Sequence, residues 1–542
     1  MSPSATFDTP SAGHSSRLKI LVPEKVSPDG LALLTPHFDV DNRKGLTATE
    51  LINLIPNYHG LIIRSETQVT AEVVQAGRKL RVVARAGVGV DNIDVPAASA
   101  QGVIVVNSPS GNILAAAEHT IALLLSTARN VGQADSSVKA GRWERSKLVG
   151  VEVGRKTLGI IGLGKVGMNV ARMAIGLGMT VKAVDPYAST DMARQTGVEL
   201  VPGLEDLLPV VDFLTIHTPL LATTLDLVGE AEFKKMKKTA RVLNVARGEP
   251  LAADSAAARL SQHHKVVATP HLGASTIEAQ ENVSMDVCKQ VLEILQGGLP
   301  TSAVNAPIIM PEEYRKLQPS VQLVEKMGRL YTQHFVRSKG GMIGGRRFEL
   351  IYHGDLAGMT NTKPLFAALV KGLVSTISDS HINMVNAALI AKEKGIVISE
   401  TRSGDSPSTY ANFVTLRSYQ AGSSGSEQVI EGYASDEQVF ISKLDRFNGV
   451  FTPEGTLIIL HNYDEPGKIG GVGMVLGKHG INIKFMQVAS LDPEATKGAD
   501  TPPDPKGNEA LMILGVLGPV SGEVLEDLKN SPGVLDVGLV KL

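Results

Sequence analysis

Thr157-Leu158-Gly159-Ile160-Ile161-Gly162-Leu163-Gly164-Lys165-Val166-Gly167 decides how the middle of this chain folds. The apolar run reads as a buried strand, and the glycines after it recur as G-x-G-x-x-G where a helix opens. Thr180 to Val184 supplies the next strand and delivers Asp185 twenty-three positions after Gly162. A lone glycine pattern is weak evidence, because many turns need glycine. Strand, loop, helix, strand and acid in this order are far more restrictive. Gly162 allows the tight turn, and Gly164 lets backbone amides approach a pyrophosphate, with Lys165 and Val166 starting the helix whose N-terminus favours the anion. Gly167 lets helix and strand close. Asp185 is placed to accept hydrogen bonds from ribose hydroxyls and to repel a 2′-phosphate, so NAD is the expected cofactor.

The same rhythm extends in both directions. Strands are expected at Leu18 to Val22, Gly60 to Arg64, Arg81 to Ala86 and Val103 to Asn107, alternating with helical stretches, which means parallel sheets with crossover helices. It appears on both sides of a helical region from Leu114 to Arg129, predicting two doubly wound, Rossmann-like α/β lobes with a ligand cleft between them. From about Pro307 the texture changes to an α+β pattern, with strand Phe348 to His353, a helix from Leu365 to Ser375 and punctuation at Gly422 to Ser426. A last unit reads βαββαβ, ferredoxin-like: Thr456 to His461, Ile469 to His479, Ile481 to Ala489, Ala510 to Val516, Ser521 to Leu528 and Val534 to Val540. Asp492 to Asn508 reads as a loop inside it. The expected division is a tail at 1–17, a discontinuous substrate lobe at 18–108 and 279–306, a cofactor lobe at 109–278, an intervening domain at 307–455 and a terminal domain at 456–542.

Composition sets the limits. A chain of 542 residues is too long for one core. With 53 basic against 55 acidic side chains there is no basic field for nucleic acid, and no apolar run is long enough to span a membrane. The single cysteine, Cys288, rules out an intrachain disulfide and a cysteine-rich metal site, and no metal is expected. The first seventeen residues lack the apolar core of a secretory signal, and with Asp8 and one arginine they make a poor presequence, so the cytoplasm is expected.

Three further segments fall at ends of expected strands, where open α/β sheets bind ligands: His217-Thr218-Pro219-Leu220, Asn244-Val245-Ala246-Arg247-Gly248 and Thr269-Pro270-His271-Leu272-Gly273-Ala274-Ser275-Thr276. Together with Arg85-Ala86-Gly87-Val88-Gly89-Val90-Asp91-Asn92-Ile93-Asp94 they resemble the D-2-hydroxyacid dehydrogenase family, in its long branch that oxidises 3-phosphoglycerate on the way to serine. The resemblance runs over nearly the whole chain. It implies that His271 is the general acid/base, a role that suits an imidazole, and that Arg247 holds the substrate carboxylate through its two-pronged donor geometry. It also implies cofactor contacts from His217, Thr218, Pro219, Ala246, Gly273 and Ala274, and carboxylate contacts from Gly87, Val88, Gly89 and Asn112. Arg64, at the end of Leu61-Ile62-Ile63 and followed by Ser65, is a phosphate candidate. Arg142, Trp143 and Arg145 could reach in from a partner subunit of a homo-oligomer, dimer or tetramer.

One departure from the family pattern is large. Relatives place a helix and a strand between the arginine-glycine pair and the glutamate-proline pair whose carboxylate stabilises the histidine. Here the chain reads Arg247-Gly248-Glu249-Pro250. Glu249 is the remaining counterpart, with its Cα at most about 7 Å from that of Arg247. Gly248 to Pro270 spans 23 residues, room for one crossover but not for two and a strand. A sheet strand is expected to be absent and turnover impaired.

Leu460-His461-Asn462-Tyr463-Asp464-Glu465-Pro466-Gly467-Lys468-Ile469-Gly470, with Gly480-Ile481-Asn482-Ile483, resembles an ACT domain, a module that binds amino acids between paired copies. Asn462, Asp464 and Asn482 are the effector candidates, with L-serine implied by the family. Two rival readings stay open, another 2-hydroxy acid as substrate and an NAD- and serine-binding regulatory protein with little turnover.

Overall fold

The computed structural model describes residues 17–219, 223–246, 261–263, 265–337, 343–378, 381–404, 412–420, 427–491 and 509–542. Arg247 and Glu249 lie outside the described residues.

The first lobe holds β1 (Lys19–Val22), β2 (Asp39–Asn42), β3 (Gly60–Ile63), β4 (Val82–Arg85) and β5 (Ile104–Asn107), all parallel, in the order β2-β1-β3-β4-β5. Both faces are covered by helices, which is why β3 is apolar and buried throughout. The helix Ile113–Ala128 leaves this lobe and packs Ala117, Leu124 and Ala128 into the core of the second.

The second lobe holds β6 (Thr157–Ile161), β7 (Thr180–Val184), β8 (Val198–Leu200), β9 (Phe213–Ile216) and β10 (Arg241–Asn244), parallel, in the order β10-β9-β6-β7-β8. Among the described residues β10 is the edge of this sheet. The strand expected before Thr269 does not form. Among the described residues Lys265 to Thr269 has no strand neighbour, and Ala268, Thr269, Pro270 and His271 are exposed. A strand needs a partner ladder, and among the described residues none lies beside this segment or on the free edge of β10. The helix Ile277–Leu295 then returns to the first lobe, burying Val283, Val287, Cys288 and Val291 against Ile20, Val22 and Ile62. Burial pushes the Cys288 thiol up to about 12.

The remainder forms one sheet of β11 (Arg346–Gly354), β12 (Val397–Ser403), β13 (Asn412–Gln420), β14 (Gln428–Ser435), β15 (Gln438–Leu444), β16 (Phe447–Phe451), β17 (Thr456–Tyr463), β18 (Asn482–Leu491), β19 (Glu509–Leu517) and β20 (Val534–Lys541). The order is β12-β11-β13-β14-β15-β16-β18-β19-β17-β20. Its last four strands carry the ferredoxin-like order read from the sequence. The sheet does not stop at residue 455, since β16 pairs with β18 and one core runs from Leu323 and Tyr352 to Ile459 and Ile513. The helices Pro311–Tyr331 and Lys363–Val374 cover it, crossing where Gly328 and Gly372 meet. A Cβ on Gly372 would stand 2.2 Å from the Glu325 carbonyl oxygen.

Candidate functional site

The glycine loop lies where the strand order of the second sheet reverses, between β7 and β9. Gly162 has φ +91°, a left-handed conformation that side chains rarely adopt, and a Cβ there would stand 2.9 Å from the His217 carbonyl oxygen. The loops after β6 and β9 therefore touch. A Cβ on Gly167 would stand 2.2 Å from the Gly162 carbonyl oxygen, so only glycine lets the helix Lys165–Gly176 start this close to the strand. Gly164 caps that helix and faces open space, with nothing within 4 Å of its Cβ direction. Free amides at a helix N-terminus with open space before them fit a pyrophosphate. Val166 instead packs its side chain against the core, leaving its amide for a ligand.

Asp185 shapes the same loop. Its carboxylate accepts from the backbone N–H of Leu163 at 2.7 Å and of Tyr187 at 2.8 Å, which fixes the oxygens at the end of β7. His217 follows β9, its ring nitrogen Nε2 3.0 Å from the Thr215 hydroxyl, and burial holds its pKa down at about 4. The ring is neutral at physiological pH. Thr218 lies against the glycine loop, and Pro219 is exposed. Lys165 donates from Nζ to the Ser110 hydroxyl at 2.9 Å, linking the glycine helix to the interlobe hinge.

Across the cleft, loops after β3 and β4 carry the substrate candidates. Arg64 is half-buried and Ser65 exposed. Arg85 donates from Nε to the Asn92 side-chain oxygen at 2.8 Å, and a Cβ on Gly87 would stand 2.8 Å from its Nη1. The guanidinium thus presses on the Gly87-Val88-Gly89 loop. Val88 is held through its carbonyl oxygen by the Asn107 amide. Asn112 precedes the helix Ile113–Ala128 without making a side-chain cap, and the hinge residues Ser110 and Gly111 line a cleft of about 440 Å³ with Asn282 and Asp286.

His271 adopts φ +52° and ψ +52° at the start of the short turn Leu272–Ala274. A Cβ on Gly273 would stand 3.8 Å from side-chain carbons of Ala116 and Val245, which places Ala274 and Ala246 in the same neighbourhood. His119, on the long helix, has Nε2 3.1 Å from the Thr269 hydroxyl, and its pKa is lowered by burial and by the adjacent His271. Trp143 is 84% exposed and Arg142 pairs with Glu144, so neither belongs to the cleft within one chain.

The effector candidates are not brought together within one chain. Asn462 pairs with Ala510 on β19 and Asn482 with Leu517 on the same strand. That interval of seven residues spans roughly 23 Å. Asn462 is buried, and Asp464 and Asn482 are exposed. Among the described residues no cluster of His, Cys, Asp and Glu could hold a metal ion, and no helix is long and apolar enough to cross a membrane.

Sequence reading missed Arg85, Ser110 and His119 as parts of this site. Arg85 opens the motif quoted for its neighbours and Ser110 lies two positions before Asn112, whereas His119 is one polar position on a helix and carries no signal of its own.

A glycine-loop dinucleotide site facing a second α/β lobe, with a histidine loop between, defines an NAD-dependent oxidoreductase, and residues 121–269 match the NAD binding domain of the D-isomer specific 2-hydroxyacid dehydrogenases. Residues 316–438 match the D-3-phosphoglycerate dehydrogenase intervening domain. The D-3-phosphoglycerate dehydrogenase of a Synechocystis strain is 37% identical, covering 97% of this chain and 95% of its own length. The Archaeoglobus fulgidus enzyme of that name is 38% identical over 97% of this chain and 100% of its own, and chloroplastic enzyme 2 of Arabidopsis thaliana 41% over 91% and 84%. The chain belongs to the D-3-phosphoglycerate dehydrogenase family.

Proposed function

We propose that this chain binds NAD and 3-phosphoglycerate, oxidises the C2 hydroxyl to give 3-phosphohydroxypyruvate as the entry to serine synthesis in the cytoplasm, and turns over slowly. The observation that carries the substrate is Arg64, half-buried at the end of β3, whose guanidinium makes no hydrogen bond or ion pair among the described residues. NAD, when bound at Gly162 to Asp185, supplies the hydride acceptor. The chain's own part is positional and acid/base. Arg247 and the Gly87 to Gly89 amides hold the C1 carboxylate, with Asn112 as a further donor, Arg64 and Ser65 hold the phosphate, and His271 takes the hydroxyl proton as C2 becomes a carbonyl. Glu249 is the remaining acid that can support the protonated imidazole.

Slow turnover follows from the edge at β10. Val242 on that strand is 38% exposed, and among the described residues the His271 loop has a helix contact and no sheet neighbour. Affinity for NAD depends on the glycine loop and survives this, whereas the nicotinamide end and the proton relay depend on a loop with less support.

The terminal unit is read as an ACT domain. The separation of Asn462 from Asn482 supports an L-serine site completed by a second copy, with Asn462 and Asp464 from one chain and Asn482 from the other. NADH formation with 3-phosphoglycerate, D-glycerate and D-lactate, each with and without serine, tests these assignments together. NADH from D-glycerate at the same rate as from 3-phosphoglycerate refutes the substrate, and unchanged rates with serine refute the effector.

A further inference from the structure

The first sheet has the order β2-β1-β3-β4-β5, so its strand order reverses between β1 and β3. Open α/β sheets bind ligands outside the carboxyl ends of the strands at such a reversal. Glu24 follows β1 at that point, and it is 7% exposed. Its carboxylate accepts three backbone N–H groups from the loop after β3. Oε1 takes those of Arg64 and Thr67, each at 2.9 Å, and Oε2 takes that of Glu66 at 3.2 Å. From the other side Asn92, 8% exposed, donates its amide to the carbonyl oxygens of Arg64 at 2.9 Å and Thr67 at 2.7 Å. Its side-chain oxygen in turn accepts from Arg85 Nε at 2.8 Å.

We infer that Glu24 and Asn92 are positioning residues for the substrate phosphate, clamping the Arg64–Thr67 loop so that the Arg64 guanidinium faces the cleft. The inference rests on the reading of Arg64 as the phosphate site. A buried carboxylate is costly unless its oxygens are satisfied, and here all its recorded donors come from one four-residue loop. The arrangement fixes the amides at Arg64, Glu66 and Thr67 and the carbonyls at Arg64 and Thr67, leaving the Arg64 and Ser65 side chains as the variable parts. A second consequence is coupling. The Asn92 oxygen holds Arg85, whose Nη1 packs against Gly87, so one side chain ties the phosphate loop to the carboxylate loop. A loop backbone held in advance loses less conformational entropy when its arginine meets a phosphate, and the gain appears as affinity for the phosphate-bearing ligand.

The test is calorimetric titration of the full chain with 3-phosphoglycerate, D-glycerate and NAD, comparing wild type with Glu24→Gln and Asn92→Asp. Glu24→Gln keeps an oxygen for two of the three amides and loses the third. Asn92→Asp keeps the Arg85 contact but turns an acceptor toward two carbonyls. Wild type is expected to bind 3-phosphoglycerate more tightly than D-glycerate. Each variant is expected to lose that preference by about tenfold, with Asn92→Asp affected more and NAD affinity unchanged within about twofold. Amide exchange at Glu66 and Thr67 rises in both variants. If wild type discriminates and both variants retain the full preference, the clamp is wrong while the phosphate site stands. A wild type that does not discriminate removes both. Loss of NAD and phosphoglycerate binding in parallel means general destabilisation and also overturns the positioning role.

Discussion

His119 on the interlobe helix and Thr269 on the loop before His271 are joined by a hydrogen bond of 3.1 Å between Nε2 and the hydroxyl. The contact ties the loop that carries His271 to the helix Ile113–Ala128.

His119→Ala removes that anchor from a loop that is otherwise exposed. Amide exchange across residues 270–275 is expected to accelerate, and the rate of 3-phosphoglycerate oxidation to fall by about tenfold, with NAD affinity little changed. The comparison of single-turnover rates with NAD titrations checks it. A rate equal to wild type shows that the loop is held elsewhere.

His217 gives a pH signature. Burial lowers its folded pKa to about 4 from an ordinary 6.5, so the fold prefers the neutral ring. The unfolded chain then binds the proton first as pH falls. Stability from this group is complete above pH 6.5 and is lost progressively toward pH 4. Thermal unfolding followed from pH 7.5 to 4 is expected to show a steeper decline in wild type than in His217→Gln, which has no such titration. Parallel curves refute the assignment.

Gly167→Ala tests the closure of helix on strand. The added methyl would stand 2.2 Å from a backbone oxygen, and backbone cannot rotate away as a side chain can. Overpacking of this kind costs about 1–3 kcal/mol, and here the displaced atoms belong to Gly162 in the pyrophosphate loop. NAD affinity is expected to drop by at least about tenfold along with a lower Tm, while Gly164→Ala, which meets nothing within 4 Å, leaves Tm unchanged. Equal effects of the two substitutions on Tm exclude this account.

Much of the architecture was legible because buried parallel strands are short, apolar and bounded by turn residues. Leu61-Ile62-Ile63 and Leu158-Gly159-Ile160-Ile161 each identify a strand without help from elsewhere in the chain. The edge strands β2 and β8, Asp-Val-Asp-Asn and Val-Glu-Leu, were missed for the converse reason, since a half-exposed strand needs no apolar run. Of the intervening region only β11 was read as a strand, and β12 to β16 escaped. Alternation such as Gln-Val-Phe-Ile-Ser-Lys-Leu over β15 gains its meaning from pairing partners distant in sequence, and so does the continuity of the sheet past residue 455. At the site, residues inside motifs were found and their supports were not. Glu24 lies in Val-Pro-Glu-Lys, ordinary loop sequence, and only the fold brings it beneath Arg64.

Asp185 decides between cofactors. Its oxygens are set by the amides of Leu163 and Tyr187, so the carboxylate cannot swing aside to admit a 2′-phosphate. Asp185→Ala is expected to raise the NAD Michaelis constant and lower that for NADP, shrinking the preference by at least about tenfold. Unchanged constants for both cofactors refute the assignment.

The edge at β10 yields the most direct test of the slow-turnover reading. Gly248 to Pro270 offers 23 residues, and a parallel strand beside β10 needs a crossover of a dozen or more before it and another after it. Inserting a family helix and strand between Gly248 and Glu249 would supply that neighbour, cover Val242 and move Glu249 away from Arg247 toward His271. The insertion is expected to raise kcat by at least about tenfold and to raise Tm, with the Michaelis constant for NAD changed much less, because the glycine loop already has its geometry. Sequencing the transcript across codons 246 to 252 shows whether such a segment is spliced out in the cell. Turnover of the unmodified chain equal to that of the extended one would remove the link between the edge at β10 and the proton relay.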